Sequence, residues 1–126
     1  MRVLVCGDIV GKSGRNAIRR ELPNLKQLKK IDFVLANGEN AANGFGITKK
    51  ICEEFYSLGV DVITSGNHIW DQKEIVEYFI NKGVKVDPMD RWGNKPADDA
   101  KRNKHQEILN LLHSKAKPTR IVEQKL

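Results

Sequence analysis

Three short apolar stretches, each followed at once by glycine and polar residues, constrain the fold of this chain more than any other feature. They comprise residues 3–6, 33–36 and 62–63. Between them, apolar residues recur at the spacing of an amphipathic helix. Alternating strand and helix signals are typical of βαβ units, whose strands are parallel. The sequence therefore predicts an α/β fold, with a partial parallel sheet of three or four strands and flanking helices.

The individual elements follow from local signals. The first helix is expected over about residues 14–30, kinked or split by Pro23, because proline lacks a backbone donor and clashes with the preceding turn. Thr48 is expected to cap the second helix. Asp71 is expected to cap the third, with Glu74 completing a capping box. The predicted strands are residues 2–6, 32–37 and 60–64, with a short fourth strand at 84–86.

Polar side chains stand directly after each of the first three strands. In an open parallel sheet, ligands bind beyond the carboxyl ends of the strands, so residues far apart in sequence meet at one edge. Carboxylate, amide and imidazole groups are the ligand types that hold Mn, Fe, Mg or Zn. The sequence therefore predicts a metal site at this edge, formed by Asp8, Glu39, Asn40, Asn67 and His68.

Composition excludes several classes of protein. With 126 residues, the chain is long enough for one modest domain. No apolar run approaches the roughly 18 residues of a membrane span, and the N-terminus lacks a signal-peptide core. Cys6 and Cys52 fall in a predicted strand and helix, as buried free thiols do. We therefore expect a cytoplasmic protein with no membrane partner. The net charge of +6 comes from scattered basic residues without interleaved aromatics, which does not favour nucleic acid as a partner.

The pattern of alternating elements stops at Pro88. Residues 87–113 are predicted to form a turn and two helices, and residues 114–126 a polar tail that frays. The sequence thus predicts three parts: an α/β domain over 1–86, a helical hairpin over 87–113, and the tail.

Four motifs in the first part carry a resemblance to a known family: Gly7-Asp8-Ile9-Val10-Gly11, Ala36-Asn37-Gly38-Glu39-Asn40-Ala41, Gly44-Phe45-Gly46-Ile47-Thr48 and Gly66-Asn67-His68-Ile69-Trp70-Asp71. In this order and spacing they resemble the start of the YmdB-type branch of the calcineurin-like metallophosphoesterases. The resemblance implies a phosphodiesterase that acts on cyclic nucleotides or other phosphodiesters. It also implies divalent metal, Mn, Fe or Mg, with two ions in a complete family member.

The same resemblance assigns roles to individual residues. It implies that Asp8, Glu39, Asn40 and Asn67 are metal ligands, with Glu39 bridging two ions, and that His68 is the catalytic residue that acts on the reacting phosphate. Phe45, between two glycines, is a weaker candidate for lining the substrate mouth. The family's further histidine ligands come from beyond the third βα unit. Of the three histidines in this chain, only His68 lies in such a motif.

Residues 90–112 resemble one ankyrin repeat. Asp90, Gly93, Pro96, Ala100 and His105 match its usual pattern, as do the apolar positions Ile108, Leu111 and Leu112. A single repeat cannot bury its apolar face alone. The resemblance therefore implies packing on the α/β part, on a second copy of the chain, or on a protein partner.

Two functional hypotheses follow. The first is a metal-dependent phosphodiesterase that is incomplete within this chain. The second is a non-catalytic truncated or fused module in which a partial α/β layer and an ankyrin-like hairpin mediate interactions.

Overall fold

The structure, a computed structural model, describes residues 1–116, and in it the chain divides into two compact units. The first unit is Met1–Phe79 and the second is Ile80–Leu126. The first unit contains β1 (Val3–Cys6), α1 (Gly11–Lys29), β2 (Phe33–Asn37), α2 (Lys49–Ser57), β3 (Val62–Thr64), a 3-10 helix (Asn67–Asp71) and most of α3 (Lys73–Asn81). The second unit contains α4 (Pro96–Arg102) and α5 (Gln106–Lys115). Among residues 1–116, no helix is both long and apolar enough to cross a membrane.

The three strands form one parallel sheet in the order β1-β2-β3, as the alternating pattern predicts. Val3 pairs with Phe33, and Leu35 pairs with Val62. Two aspartates help to fix this register from just before the strands. Asp32 accepts a hydrogen bond from the backbone of Arg2 at 2.6 Å, and Asp61 accepts one from the backbone of Val34 at 2.8 Å. Each carboxylate thereby ties the start of one strand to its neighbour.

Both crossover helices cover the same face of this sheet. Right-handed crossovers that move in one direction across a sheet place their helices on one side. Burial agrees with this, since Val34 and Ala36 on that face are 0% exposed. Side chains of α1, α2 and α3 are also buried: Leu22, Ile51, Cys52, Phe55 and Ile75. Thr48 caps α2 as predicted, accepting a hydrogen bond from the backbone of Ile51 at 3.3 Å.

The second unit contains a turn at residues 90–94, followed by two helices that pack on each other. The carboxylate of Asp90 accepts hydrogen bonds from the backbones of Trp92 and Asn94, both at 2.8 Å. These bonds lower the pKa of Asp90. Ala100, Ile108 and Leu112 are buried on α4 and α5. The predicted turn, short helix and second helix are therefore present, and the predicted tail lies outside the described residues from position 117 onward.

Three local predictions are wrong. The fourth strand at 84–86 does not form, and Val84 is 55% exposed, because this short segment pairs with no strand among the described residues. The split of the first helix at Pro23 is wrong, since α1 continues from Gly11 to Lys29 with the exposed Pro23 inside it, and the alternative of a kink stays a prediction. Asp71 is not the residue before α3. It ends the 3-10 helix instead, and α3 begins at Lys73.

Candidate active site

The loops after β1 and β2 bring two predicted ligands into direct contact. The amide Nδ2 of Asn40 donates a hydrogen bond to Oδ1 of Asp8 at 2.5 Å. Backbone bonds hold the two loops together, since the N–H of Gly11 donates to the carbonyl of Asn40 at 3.0 Å. Asp8 has a φ of 42°, in the left-handed region that aspartate tolerates better than most residues. Its carboxylate is therefore placed by the fold and exposed to solvent at the end of β1.

The carboxylate of Glu39 lies against the loop after β3. A Cβ atom added to Gly66 would lie only 1.8 Å from Oε2 of Glu39, so this carboxylate sits where only a glycine leaves room. Gly66 also has a φ of 51° and a ψ of −157°, a conformation that is essentially confined to glycine. Asn37 supports Glu39 from the other side, donating from Nδ2 to Oε1 at 3.3 Å. The ends of β2 and β3 therefore meet at Glu39.

The third motif begins directly after Gly66. The backbone of Asn67 starts the 3-10 helix, so this predicted ligand follows β3 as expected. One turn later, Nδ1 of His68 lies 2.7 Å from Oδ2 of Asp71. The sequence prediction missed this partner, although a spacing of three residues in helical geometry could have suggested it. An imidazole anchored through Nδ1 has its Nε2 left to meet a substrate.

The glycine-rich loop containing Phe45 packs against the His68 turn. A Cβ atom added to Gly46 would lie 2.5 Å from the carbonyl oxygen of His68. Gln72 donates from Nε2 to the carbonyl of Phe45 at 2.8 Å, and Arg15 donates to the carbonyl of Ala41. Phe45 in this tethered loop is 64% exposed. Gln72 and Arg15 were not singled out from the sequence, because their hydrogen bonds to backbone have no sequence signature.

The donors at this edge are of one chemical kind. Asp8 and Glu39 supply carboxylate oxygens and Asn40 an amide oxygen, which suits hard divalent cations such as Mg or Mn. Within the described part of the chain, no group of three or more histidine, cysteine, aspartate or glutamate side chains could hold a metal ion. Asp8, Glu39 and Asn40 therefore fit a divalent cation, as oxygen ligands that fill only part of its coordination.

Comparisons with known proteins agree with the predicted family. The model of the YmdB-like protein family matches residues 4–112. The 2',3'-cyclic-nucleotide 2'-phosphodiesterase of Bacillus subtilis is 47% identical over 79 residues, which cover 63% of this chain and 30% of that protein. The family model runs through the segment that resembles an ankyrin repeat, and the ankyrin resemblance gains no support from these comparisons.

Solved structures give the same result. A phosphatase from Mycoplasma pneumoniae is 40% identical with a TM-score of 0.59, and the match covers 63% of this chain and 28% of that one. A hypothetical protein from Thermus thermophilus is 40% identical with a TM-score of 0.57, covering 61% of this chain and 30% of that one. The chain thus spans about 30% of the length of these relatives. It belongs to the YmdB-like protein family.

Proposed function

We propose that this chain carries the first part of a metal-dependent phosphodiesterase site whose substrates are cyclic nucleotides or other small phosphodiesters. The observation that carries the proposal is a pair of contacts beyond the carboxyl ends of three parallel strands, one between Asn40 and Asp8 and one between Glu39 and the Gly66 turn. The relative from Bacillus subtilis, named as a cyclic-nucleotide phosphodiesterase, supports this class of substrate.

Asp8, Glu39, Asn40 and Asn67 are the residues that would hold Mn, Fe or Mg. When bound, such ions neutralise the charge that develops on phosphoryl oxygens and lower the pKa of water. The chain's own residues hold this ligand set in place. Asn40 orients the Asp8 carboxylate, and Asn37 and the bare backbone of Gly66 confine that of Glu39.

His68 is the proposed catalytic residue. Its ring is anchored through Nδ1 by Asp71, so Nε2 can donate a proton to the leaving oxygen of the phosphodiester. General acids of this kind contribute about 100- to 10,000-fold in rate. Phe45 is proposed to line the mouth of the site, since its exposed ring stands on a loop tied to the His68 turn.

The test is hydrolysis of bis(p-nitrophenyl) phosphate and of a 2',3'-cyclic nucleotide with added Mn. We expect weak turnover, orders of magnitude below that of a full-length relative, because the family's further histidine ligands are missing from this chain. The rate falls about tenfold for each 1.4 kcal/mol of transition-state stabilisation that is lost. Asp8→Asn should abolish turnover of both substrates. His68→Ala should abolish turnover of the cyclic nucleotide and slow that of bis(p-nitrophenyl) phosphate less, because p-nitrophenolate leaves without protonation. His113→Ala is the matched control, because His113 is an exposed residue of α5. Turnover unaffected by either site variant would refute the assignment.

A second candidate function is a non-catalytic interaction module. It is favoured by the absence of a group of three or more metal-binding side chains from residues 1–116 and by the coverage of only about 30% of the relatives. Under this proposal the ankyrin-like hairpin contacts a partner or a second copy of the chain. Zero turnover in the parent chain, equal to that of both site variants, would support it.

A cytoplasmic location is also proposed, since both cysteines are free thiols.

A further inference from the structure

One face of the parallel sheet is apolar and uncovered. Side chains alternate between the two faces along a strand, so Val3 and Val5 project opposite to the buried face. Their neighbours across the sheet are also apolar. Val3 pairs with Phe33, and Val5 pairs with Leu35, which in turn pairs with Val62. We call these five residues the open sheet face.

The exposure of this face contrasts with the other side of the same strands. Val5 is 65% exposed, Val3 47% and Val62 39%, whereas Val34 and Ala36 on the opposite face are fully buried. Phe33 and Leu35 are half-buried. Single exposed apolar residues are normal, but five that adjoin across three strands form a contiguous patch, and such patches mark interaction sites.

The topology explains why the patch exists. Because the strand order runs in one direction, both crossover helices lie on one side of the sheet, and Val3, Val5 and Val62 stay exposed on the other side. Sheets made only of parallel strands occur almost always with both faces covered. The open sheet face is therefore half of an interface rather than a finished surface.

The comparisons indicate which occupant fits. The solved relatives align with this chain at TM-scores of 0.57 and 0.59, and the match covers only 30% and 28% of their own length. The remaining length of those proteins is polypeptide that is available to cover such a face. We propose that the open sheet face binds the part of a YmdB-like protein that this chain does not match, as an apolar layer that completes the fold. The proposal rests on the family and the fold, and not on the proposed catalytic activity.

The probe is the portion of the Bacillus subtilis relative that lies outside the match, co-expressed with the full chain carrying an affinity tag. We expect the two polypeptides to co-purify as a 1:1 complex in light scattering, without added metal or substrate. Val5→Lys places a charge at the centre of the open sheet face and should weaken binding at least tenfold. Val84→Lys is the matched control, because Val84 is 55% exposed and lies outside the sheet.

Several outcomes decide the question. Thermal melts of Val5→Lys equal to those of the parent chain would show that lost binding is not lost folding. A probe that fails to co-purify, or that binds Val5→Lys as well as the parent chain, would overturn the proposal. A dimer of the chain alone that Val5→Lys dissolves and the probe does not displace would assign the face to a second copy instead. His68→Ala should bind the probe normally, which separates this interface from catalysis.

Discussion

At the scale of single residues, the site depends on close approaches that only certain side chains permit. Gly66 is the sharpest case, since its bare Cα lets the Glu39 carboxylate sit against the backbone. The pairing of His68 with Asp71 is a second case, in which one carboxylate fixes the orientation of a ring. Each approach yields a direct test.

Gly66→Ala should destabilise the first unit by about 3 kcal/mol, because the new methyl group meets Glu39 Oε2 in a backbone conformation reserved for glycine. Gly44→Ala is the control. Gly44 has a φ of 91° but no atom within 4 Å of an added Cβ. Only the cost of the left-handed backbone conformation, about 1 kcal/mol, therefore remains. Urea unfolding measures both changes. Truncating Glu39 in the double variant Gly66→Ala, Glu39→Ala should recover part of the loss, and a strictly additive result would contradict the proposed contact.

Asp71→Asn should slow hydrolysis by about 10- to 100-fold, as loss of the hydrogen-bond partner of a metal-bound histidine does, because Asp71 likewise orients the His68 ring. The loss should be larger for a cyclic nucleotide than for bis(p-nitrophenyl) phosphate, because p-nitrophenolate leaves without protonation. Imidazole nitrogen chemical shifts of His68 give a readout that needs no turnover, since they should change when the Nδ1 partner changes. An equal loss on both substrates with unchanged shifts would contradict a positioning role for Asp71.

At the scale of elements, α2 shows how burial sets the chemistry of a side chain. Cys52 is fully buried in α2, and this burial raises the pKa of its thiol from an ordinary 9.0 to about 12, with a smaller contribution from Glu53. Cys6 in β1 is only half-buried, and burial raises its pKa as well. The folded chain therefore keeps a proton on Cys52 that the unfolded chain releases above about pH 9.

Stability should fall as pH rises through the window from about 9 to 12. In this window the native state binds more protons than the unfolded state, so the free energy of unfolding drops by up to about 1.4 kcal/mol per pH unit for this thiol. Unfolding in urea at pH 8 and pH 10.5 checks this. In Cys52→Ala, the free energy of unfolding should fall less steeply with pH. Part of the fall should remain, because the pKa values of Tyr56 and Tyr78 are raised too. An unchanged slope in Cys52→Ala would contradict the assignment to this thiol.

The same scale explains which elements the sequence could predict. Thr48 was recognised as a cap because capping depends on residues within one turn. The strand at 84–86 was wrongly predicted, because a strand forms only where a distant partner offers an edge. Asp71 matched a capping pattern, yet it ends the 3-10 helix and its carboxylate lies against His68. The polar residues after each strand were predictable from topology, whereas the contact of Glu39 with Gly66 needed coordinates.

At the scale of the whole molecule, the number of metal ions bound per chain shows how much of the proposed metal site this chain contains. We expect the purified chain to bind one Mn per chain and a second only weakly, because its proposed ligands are oxygens and, apart from His68, no histidine lies in a family motif. Elemental analysis after dialysis measures this number. Asp8→Asn should lower it, and Asp87→Asn, an exposed residue of the second unit, should leave it unchanged. Two tightly held ions per chain would show that other residues complete the ligand set.

The one-directional order of the strands also matches the order of protein synthesis. Each strand pairs with the strand that left the ribosome just before it, β2 with β1 and β3 with β2. Every strand pair of the sheet is therefore complete once β3 has emerged, and none waits for a later segment. A genetic break or fusion downstream of β3 leaves all of these pairings intact. The arrangement makes this sheet a piece of protein that recombination can transfer to new neighbours without changing how its own strands pair.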